Sequence, residues 1–248
     1  MTVSVDDLVV IAKQAGEAIM KIYDGEIAVS QKEDESPLTL ADLEADRIIC
    51  SGLKKLYPEI FILSEESASG ELADYDNFFL VDPLDGTKEF LKRNGEFTVN
   101  IAWIKNGVAE VAVVYVPALE ECYKADASGA FEEQDDGTWK KLESKKSAGD
   151  KLQIVGSRSH GAEEMEKWLA TLTVPYEFLA VGSSLKFCRV AQGVADVYPR
   201  FGPTCQWDTA AAQCIVEKAG GTVTDLNGVR LHYGVLREKL NPYFICKN

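Results

Sequence analysis

The stretch Val81–Leu91, VDPLDGTKEFL, sets two carboxylates three residues apart, Asp82 and Asp85, ahead of a Gly-Thr pair. Pro83 fixes its own φ and biases Asp82 toward extended backbone, so the apolar run Phe78–Val81 leads straight into a stiff turn. Gly86 permits a close-approach backbone there, and Thr87 opens the helical segment TKEFLK. The amides of Gly86, Thr87 and Lys88 then lack intrahelical partners and point outward from one place, which suits a phosphate group. Two carboxylates beside a phosphate repel it, and a hard divalent cation removes the conflict. Mg²⁺ prefers oxygen ligands and commonly uses one or two carboxylates plus substrate phosphate. The Leu84 carbonyl, between the aspartates, is a third candidate oxygen. Taken alone, P-L-D-G is equally an ordinary surface turn.

Three further segments carry carboxylates at element ends. Glu65 and Glu66 follow the short apolar strand Ile60–Leu63, where a solvated loop is the plain alternative. Asp208, in WDTAA, falls in the first turn of a helix, where acidic residues also complement the helix dipole. Asp42, in TLAD, opens the second helix and would serve equally as a cap. The six cysteines are scattered without a C-x-x-C pair, which speaks for reduced thiols in a cytoplasmic protein and against a structural zinc site.

The elements that must position these groups follow from periodicity. Helical spacing covers Val5–Tyr23 and Leu40–Leu56. Strands are expected at Ile60–Leu63 and Phe78–Val81, and Thr98–Ile104 and Val108–Val116 read as a hairpin about Asn106-Gly107. The meander continues through Glu121–Lys124 and Ala130–Phe131. Glu132–Asp150 is polar and without apolar periodicity, and marks the expected boundary. Beyond it strands and helices alternate: Leu152–Val155, Ala162–Leu172, Tyr176–Val181, Ser184–Gln192, Ala195–Tyr198, Trp207–Ala219 and Thr222–Thr224. This grammar predicts an α+β part over residues 1–145, with an antiparallel sheet under the first two helices, and a smaller α/β part over 146–248. Together they form layered αβαβα architecture with the site between the parts.

The chain has 248 residues, with 40 acidic against 26 basic residues and a net charge of −14. That balance argues against a nucleic acid polymer as partner, which would want a basic face. No run of 18 apolar residues is present, so no transmembrane segment is expected. The opening MTVSVDDLVVIAKQ lacks the features of a secretory signal peptide.

SEES, DPLDGT and WDTAA, in this order along nearly the whole chain, resemble the inositol-monophosphatase-like family of magnesium-dependent phosphomonoesterases. KEDESPLTLAD, DPLDGTKEF and VGSSLKFC with YPRFGPTCQWDTAAA are similar to its bacterial 3′(2′),5′-bisphosphate nucleotidase branch. The inositol monophosphatases usually carry T-N-F where this chain has Lys88-Glu89-Phe90. The resemblance implies a sugar-phosphatase-like fold, two or three Mg²⁺ ions, and a small-molecule nucleotide substrate, adenosine 3′,5′-bisphosphate, cleaved to AMP and phosphate. It implies metal ligands Glu65, Asp82, the Leu84 carbonyl, Asp85 and Asp208, with Thr87, held by Asp42, orienting the attacking water. Glu65, Asp42 and Thr87 are thus the catalytic set. The substrate would touch Leu84, Asp85, Gly86, Thr87 and Asp208, with His160, Ser183, Lys186 and Arg200 at the nucleotide end; Arg158 and Arg189 are alternatives there. An inositol or sugar phosphatase, or a nucleotide-binding protein of the same fold without catalysis, is the rival reading. The expected location is the cytoplasm, either free or peripheral on the inner face of the cell membrane.

Overall fold

The computed structural model describes residues 2–25, 29–31, 37–145, 149–157 and 162–248. Two helices come early, α1 (Val5–Tyr23) and α2 (Leu40–Leu56), with a short antiparallel ladder between them, β1 (Val29–Gln31) and β2 (Pro37–Thr39). Thr39 and Asp42 form a capping box at the start of α2, which satisfies amides that the helix itself cannot.

A seven-stranded sheet follows in sequence order: β3 (Phe61–Ser64), β4 (Asn77–Asp85), β5 (Thr98–Lys105), β6 (Val108–Val116), β7 (Glu121–Asp126), β8 (Gly129–Glu133) and β9 (Trp139–Lys141). The helix α3 (Thr87–Leu91) leaves the end of β4. The expected antiparallel sheet holds except at its edge, where β3 runs parallel to β4. The parallel pair matters: both strands end at the same side, so the residues beyond Ser64 and Val81 emerge together. Asn106 and Gly107 both have positive φ, as the β5–β6 hairpin requires. The polar stretch after Glu132 is not all loop, because Trp139–Lys141 pairs with β8 as the last strand.

The remaining chain gives β10 (Leu152–Gly156), α4 (Ala162–Leu169), β11 (Tyr176–Ala180), α5 (Leu185–Ala191), β12 (Val197–Arg200), α6 (Ala210–Lys218), β13 (Thr222–Asp225) and β14 (Phe244–Lys247). Their sheet has the order β11-β10-β12-β14-β13, parallel at one end and antiparallel around β14, a strand absent from the sequence reading.

The layers follow from alternation along the strands. One face of the larger sheet, with Phe79, Val81, Ile101 and Val113, packs on α1 and α2. The other, with Phe78, Leu80, Ala102 and Val114, shares a core with Phe187, Cys188, Ala211 and Ile215 of α5 and α6 and with Phe244 of the smaller sheet. Met165 of α4 lies where a side chain at Gly156 of that sheet would point, 3.6 Å from it. The stack is therefore αβαβα, as expected. Among the described residues, no helix is long and apolar enough to cross a membrane.

Candidate active site

Glu65 lies one residue beyond β3, and its amide donates to the Val81 carbonyl at 3.0 Å. The parallel register Ser64↔Val81 continues by one step, so Glu65 comes beside Asp82. β4 runs further than the apolar run suggested, through Asp85, with a register irregularity between Asp82 and Asp85 where Pro83 interrupts the ladder. Asp82 Oδ1 accepts the Leu84 amide at 3.1 Å, closing the turn on itself. Gly86 sits in the left-handed region at φ 91°, and a side chain there would meet the Glu96 carbonyl and Ser183 at 3.3 Å. Only glycine fits such a position without strain.

Asp208 does not sit inside a helix as the sequence suggested. α6 begins at Ala210, and Asp208 precedes it in a turn where its carboxylate accepts the Cys205 amide at 2.8 Å. From there it reaches the other half of the site. Glu65, Asp82 and Asp208 offer carboxylate oxygens that lie within 4.8 Å of one another. Asp85 lines the same cavity, of about 310 Å³, with Leu84, Gly86 and Thr87.

Burial and mutual repulsion push these carboxyls up. Asp82 is raised well above the usual carboxylate range by burial first, then by Glu65, Asp85, Asp208 and Asp42. Asp208 is pushed up to about 8 by burial, then by Asp85 and Glu65. Asp85 is raised by burial, with Lys186 and the Ser184 amide opposing. Asp82 Oδ2 is buried with no hydrogen-bond partner. An orphaned buried carboxylate oxygen among converging carboxylates is a cost the fold bears without a cation, and the all-oxygen donor set suits a hard divalent ion. The residues present therefore fit the implied metal.

Thr87 Oγ donates to Asp42 Oδ1 at 3.3 Å, while Asp42 Oδ2 accepts the Thr39 amide and hydroxyl at 2.8 and 2.6 Å. The capping residue of α2 thus also steers the hydroxyl beside the carboxylates. Glu66 is not among the clustered acids.

Ser183, Lys186 and Arg200 line the same cavity, and Ser183 stands against Gly86. Ser183 is left-handed at φ 45° despite its side chain. Such a residue costs about 1–3 kcal/mol and persists where its surroundings fix it. Here Lys186 Nζ donates to the Ser183 carbonyl at 2.5 Å and lies 5.4 Å from the centre of the Tyr198 ring. Burial pushes the Lys186 ammonium down to about 8 against the pull of Asp85. Arg200 donates to Thr204 Oγ at 2.6 Å and to the Pro203 carbonyl at 2.9 Å. Arg189 is turned away, paired with Glu121 at 2.8 Å, which removes it as a candidate for the nucleotide end. His160 and Arg158 lie outside the described residues.

The sequence reading passed over Thr98, Asn100 and Glu96, and gave Ser184 only as part of a helix start that could offer amides to a second phosphate. Glu96 accepts the Gly182 amide at 2.7 Å and ties the turn before α5 to the segment after α3. A signal existed: Thr98 and Asn100 are polar at two successive same-face positions of an otherwise apolar strand, TVNIAWI.

Residues 4–243 match the inositol monophosphatase family. The chain belongs to that family. It is a phosphatase of a kind for which metal dependence is general. It is 45% identical, over 94% of its length and 95% of the relative's, to "3′(2′),5′-bisphosphate nucleotidase CysQ" of Salmonella typhimurium. The crystal structure of CysQ from Bacteroides thetaiotaomicron matches 98% of this chain, and 96% of its own, at 38% identity and a TM-score of 0.83. An inositol monophosphatase from Thermotoga maritima matches 98% of this chain, and 91% of its own, at 26% identity and a TM-score of 0.79.

Proposed function

We propose that this chain is a Mg²⁺-dependent 3′(2′),5′-bisphosphate nucleotidase. It takes the 3′-phosphate from adenosine 3′,5′-bisphosphate and leaves AMP and phosphate. One observation carries the reading: three carboxylates from distant segments converge on a cavity that also holds Asp85, the Gly86-Thr87 turn, Lys186 and Arg200. The likeness to CysQ proteins along nearly the whole chain supports the bisphosphate as substrate.

Glu65, Asp82, Asp85, Asp208 and the Leu84 carbonyl would hold the cations. When bound, they supply charge neutralisation for the phosphoryl group and acidity for a water molecule. The chain does the rest by placement, as phosphoryl transfer requires little covalent chemistry of the protein. Thr87 Oγ spends its proton on Asp42, so its lone pairs are left to accept from the attacking water. The Gly86 and Thr87 amides hold the transferred phosphate at the start of α3. The bond from phosphorus to the 3′ oxygen breaks as one from phosphorus to water oxygen forms. No histidine or cysteine nucleophile takes part. Ser183, Lys186 and Arg200 receive the 5′-phosphate, whose charge needs cations in a chain at −14.

We place the larger sheet with α1–α3 in one part and residues beyond about 145 in the other, with the substrate between them. Six free thiols support a reducing, cytoplasmic setting. The test is phosphate release from a panel of adenosine 3′,5′-bisphosphate, 5′-AMP, inositol 1-phosphate and a sugar phosphate, with Mg²⁺ and with excess chelator. The expected result is metal-dependent release with the highest kcat/KM on the bisphosphate. Equal efficiency on inositol 1-phosphate would move the assignment to an inositol phosphatase, and release undiminished by chelator would overturn the metal chemistry.

A further inference from the structure

Three side chains stand behind the aspartate pair, and the mechanism above uses none of them. Thr98, Asn100 and Ser184 are exposed to 2% or less. Thr98 Oγ and Ser184 Oγ share a hydrogen bond at 2.8 Å, and Ser184 Oγ donates to Asn100 Oδ1 at 2.8 Å. Thr98 Oγ also reaches Asp85 Oδ2 at 3.4 Å, and the Ser184 amide donates to that same oxygen. Thr98 and Asn100 come from β5, opposite Asp85 and Asp82 in the ladder, while Ser184 comes from the turn ahead of α5.

Asp85 Oδ2 is thus held by the amide of the turn before α5, with the Thr98 hydroxyl of the larger sheet 3.4 Å away and its one proton committed to Ser184 Oγ. That turn is the one strained at Ser183, so its amides need an anchor to stay in place. The Ser184 hydroxyl, locked between Thr98 and Asn100, is that anchor. Deleting it strips two buried polar atoms of a partner and frees the turn to relax, and the Asp85 carboxylate moves with its donor. Glu96, holding the Gly182 amide, also keeps the turn near the site.

We propose that Ser184, anchored by Thr98 and Asn100, is a positioning residue that sets the direction in which Asp85 presents its carboxylate to the bound cation. This rests on the reading of Asp85 as a metal ligand. Partners that orient metal ligands typically contribute about 10- to 100-fold in metal affinity or activity.

The experiment compares the wild type with Ser184→Ala and Thr98→Val on the full chain. The first readout is the apparent Mg²⁺ dissociation constant without substrate, from the rise in Tm along a Mg²⁺ titration. The second is the KM for adenosine 3′,5′-bisphosphate at saturating Mg²⁺. Ser184→Ala is expected to weaken Mg²⁺ binding about 10- to 100-fold, and Thr98→Val to weaken it in the same direction. KM for the nucleotide should change by less than about threefold, because uniform substrate binding is untouched. A merely structural role would lower Tm in chelator and leave the Mg²⁺ constant unchanged, which overturns the proposal. If Ser184→Ala does not fold, Thr98→Val decides alone, and a wild-type constant there overturns it. A wild-type chain with no Mg²⁺-dependent rise in Tm defeats the metal reading itself, whereas a normal wild-type rise with unshifted variants defeats only the positioning role.

Discussion

Asp82→Asn separates the charge of the carboxylate cluster from its shape. The amide keeps the size of the side chain and can keep an oxygen on the Leu84 amide, 3.1 Å away. Its nitrogen takes the place of the orphaned Oδ2 and can donate toward the neighbouring carboxylates. Glu65, Asp82 and Asp208 present oxygens within 4.8 Å of one another. Two full charges at such a distance repel by about 3.5 kcal/mol at an effective dielectric constant of about 20. Proton uptake relieves part of this, since Asp208, pushed up to about 8, is largely protonated at neutral pH. Asp82 is raised too, so the metal-free variant should be more stable than the wild type by about 1–3 kcal/mol rather than the full sum. At this chain length about 1 kcal/mol moves Tm by roughly 2–4 °C, so in excess chelator the variant should melt roughly 2–12 °C higher. Mg²⁺ at about a hundred times its dissociation constant stabilises the wild type by about 2.7 kcal/mol. The variant, lacking that ligand charge, should gain little, and its turnover should fall more than about 100-fold. Thermal unfolding in chelator and in Mg²⁺, with phosphate release on the same samples, reads all three. A variant that melts below the wild type in chelator, or that keeps the full Mg²⁺ shift, refutes the reasoning.

The metal-free chain should lose stability as pH rises from about 4 to about 8. Asp208 binds its proton more tightly folded than unfolded, so its ionisation opposes folding above its ordinary value of 3.8 and fully so above about 8. Asp208→Asn should flatten this slope in chelator, as should Mg²⁺ with the wild type, and pH-dependent melting checks both. Thr87→Val should leave the Thr39–Asp42 cap intact and Tm within about 1 kcal/mol equivalent, while turnover falls about 100-fold or more; a matched loss of both would show a structural role. Arg200→Met should lower kcat/KM about 10- to 100-fold on adenosine 3′,5′-bisphosphate, the worth of a charge-assisted hydrogen bond of about 1.5–3 kcal/mol. A monophosphate without the second group should lose much less, and equal losses would assign Arg200 to the fold of the Pro203–Thr204 turn.

Much of the site was legible in the sequence because its chemistry is local. Proline, glycine and threonine around Asp82 and Asp85 dictate a stiff turn and a helix start by backbone sterics alone, and the structure keeps them there. Both long helices, Val5–Tyr23 and Leu40–Leu56, follow from the period of their apolar face. Short-range rules also placed Asp42 at the cap of α2, while its bond to Thr87, 45 residues away, was expected only from the family resemblance.

What the sequence by itself determined is which groups are oxygen donors and where the chain turns, because residue type and φ preference are properties of a few neighbouring residues. Only the tertiary structure decided which donors meet. Strand direction was not written in the apolar run Ile60–Leu63, yet the parallel pairing of β3 with β4 is what sets Glu65 beside Asp82. By local pattern Asp208 read as a helix charge, and only the family resemblance made it a metal ligand; α6 begins after it, and the turn closed by the Cys205 amide aims it at the cluster. β14 and the Thr98–Ser184–Asn100 contacts were invisible for the same reason: pairing and burial depend on partners about 40 to 90 residues away, and no local pattern encodes a partner's position.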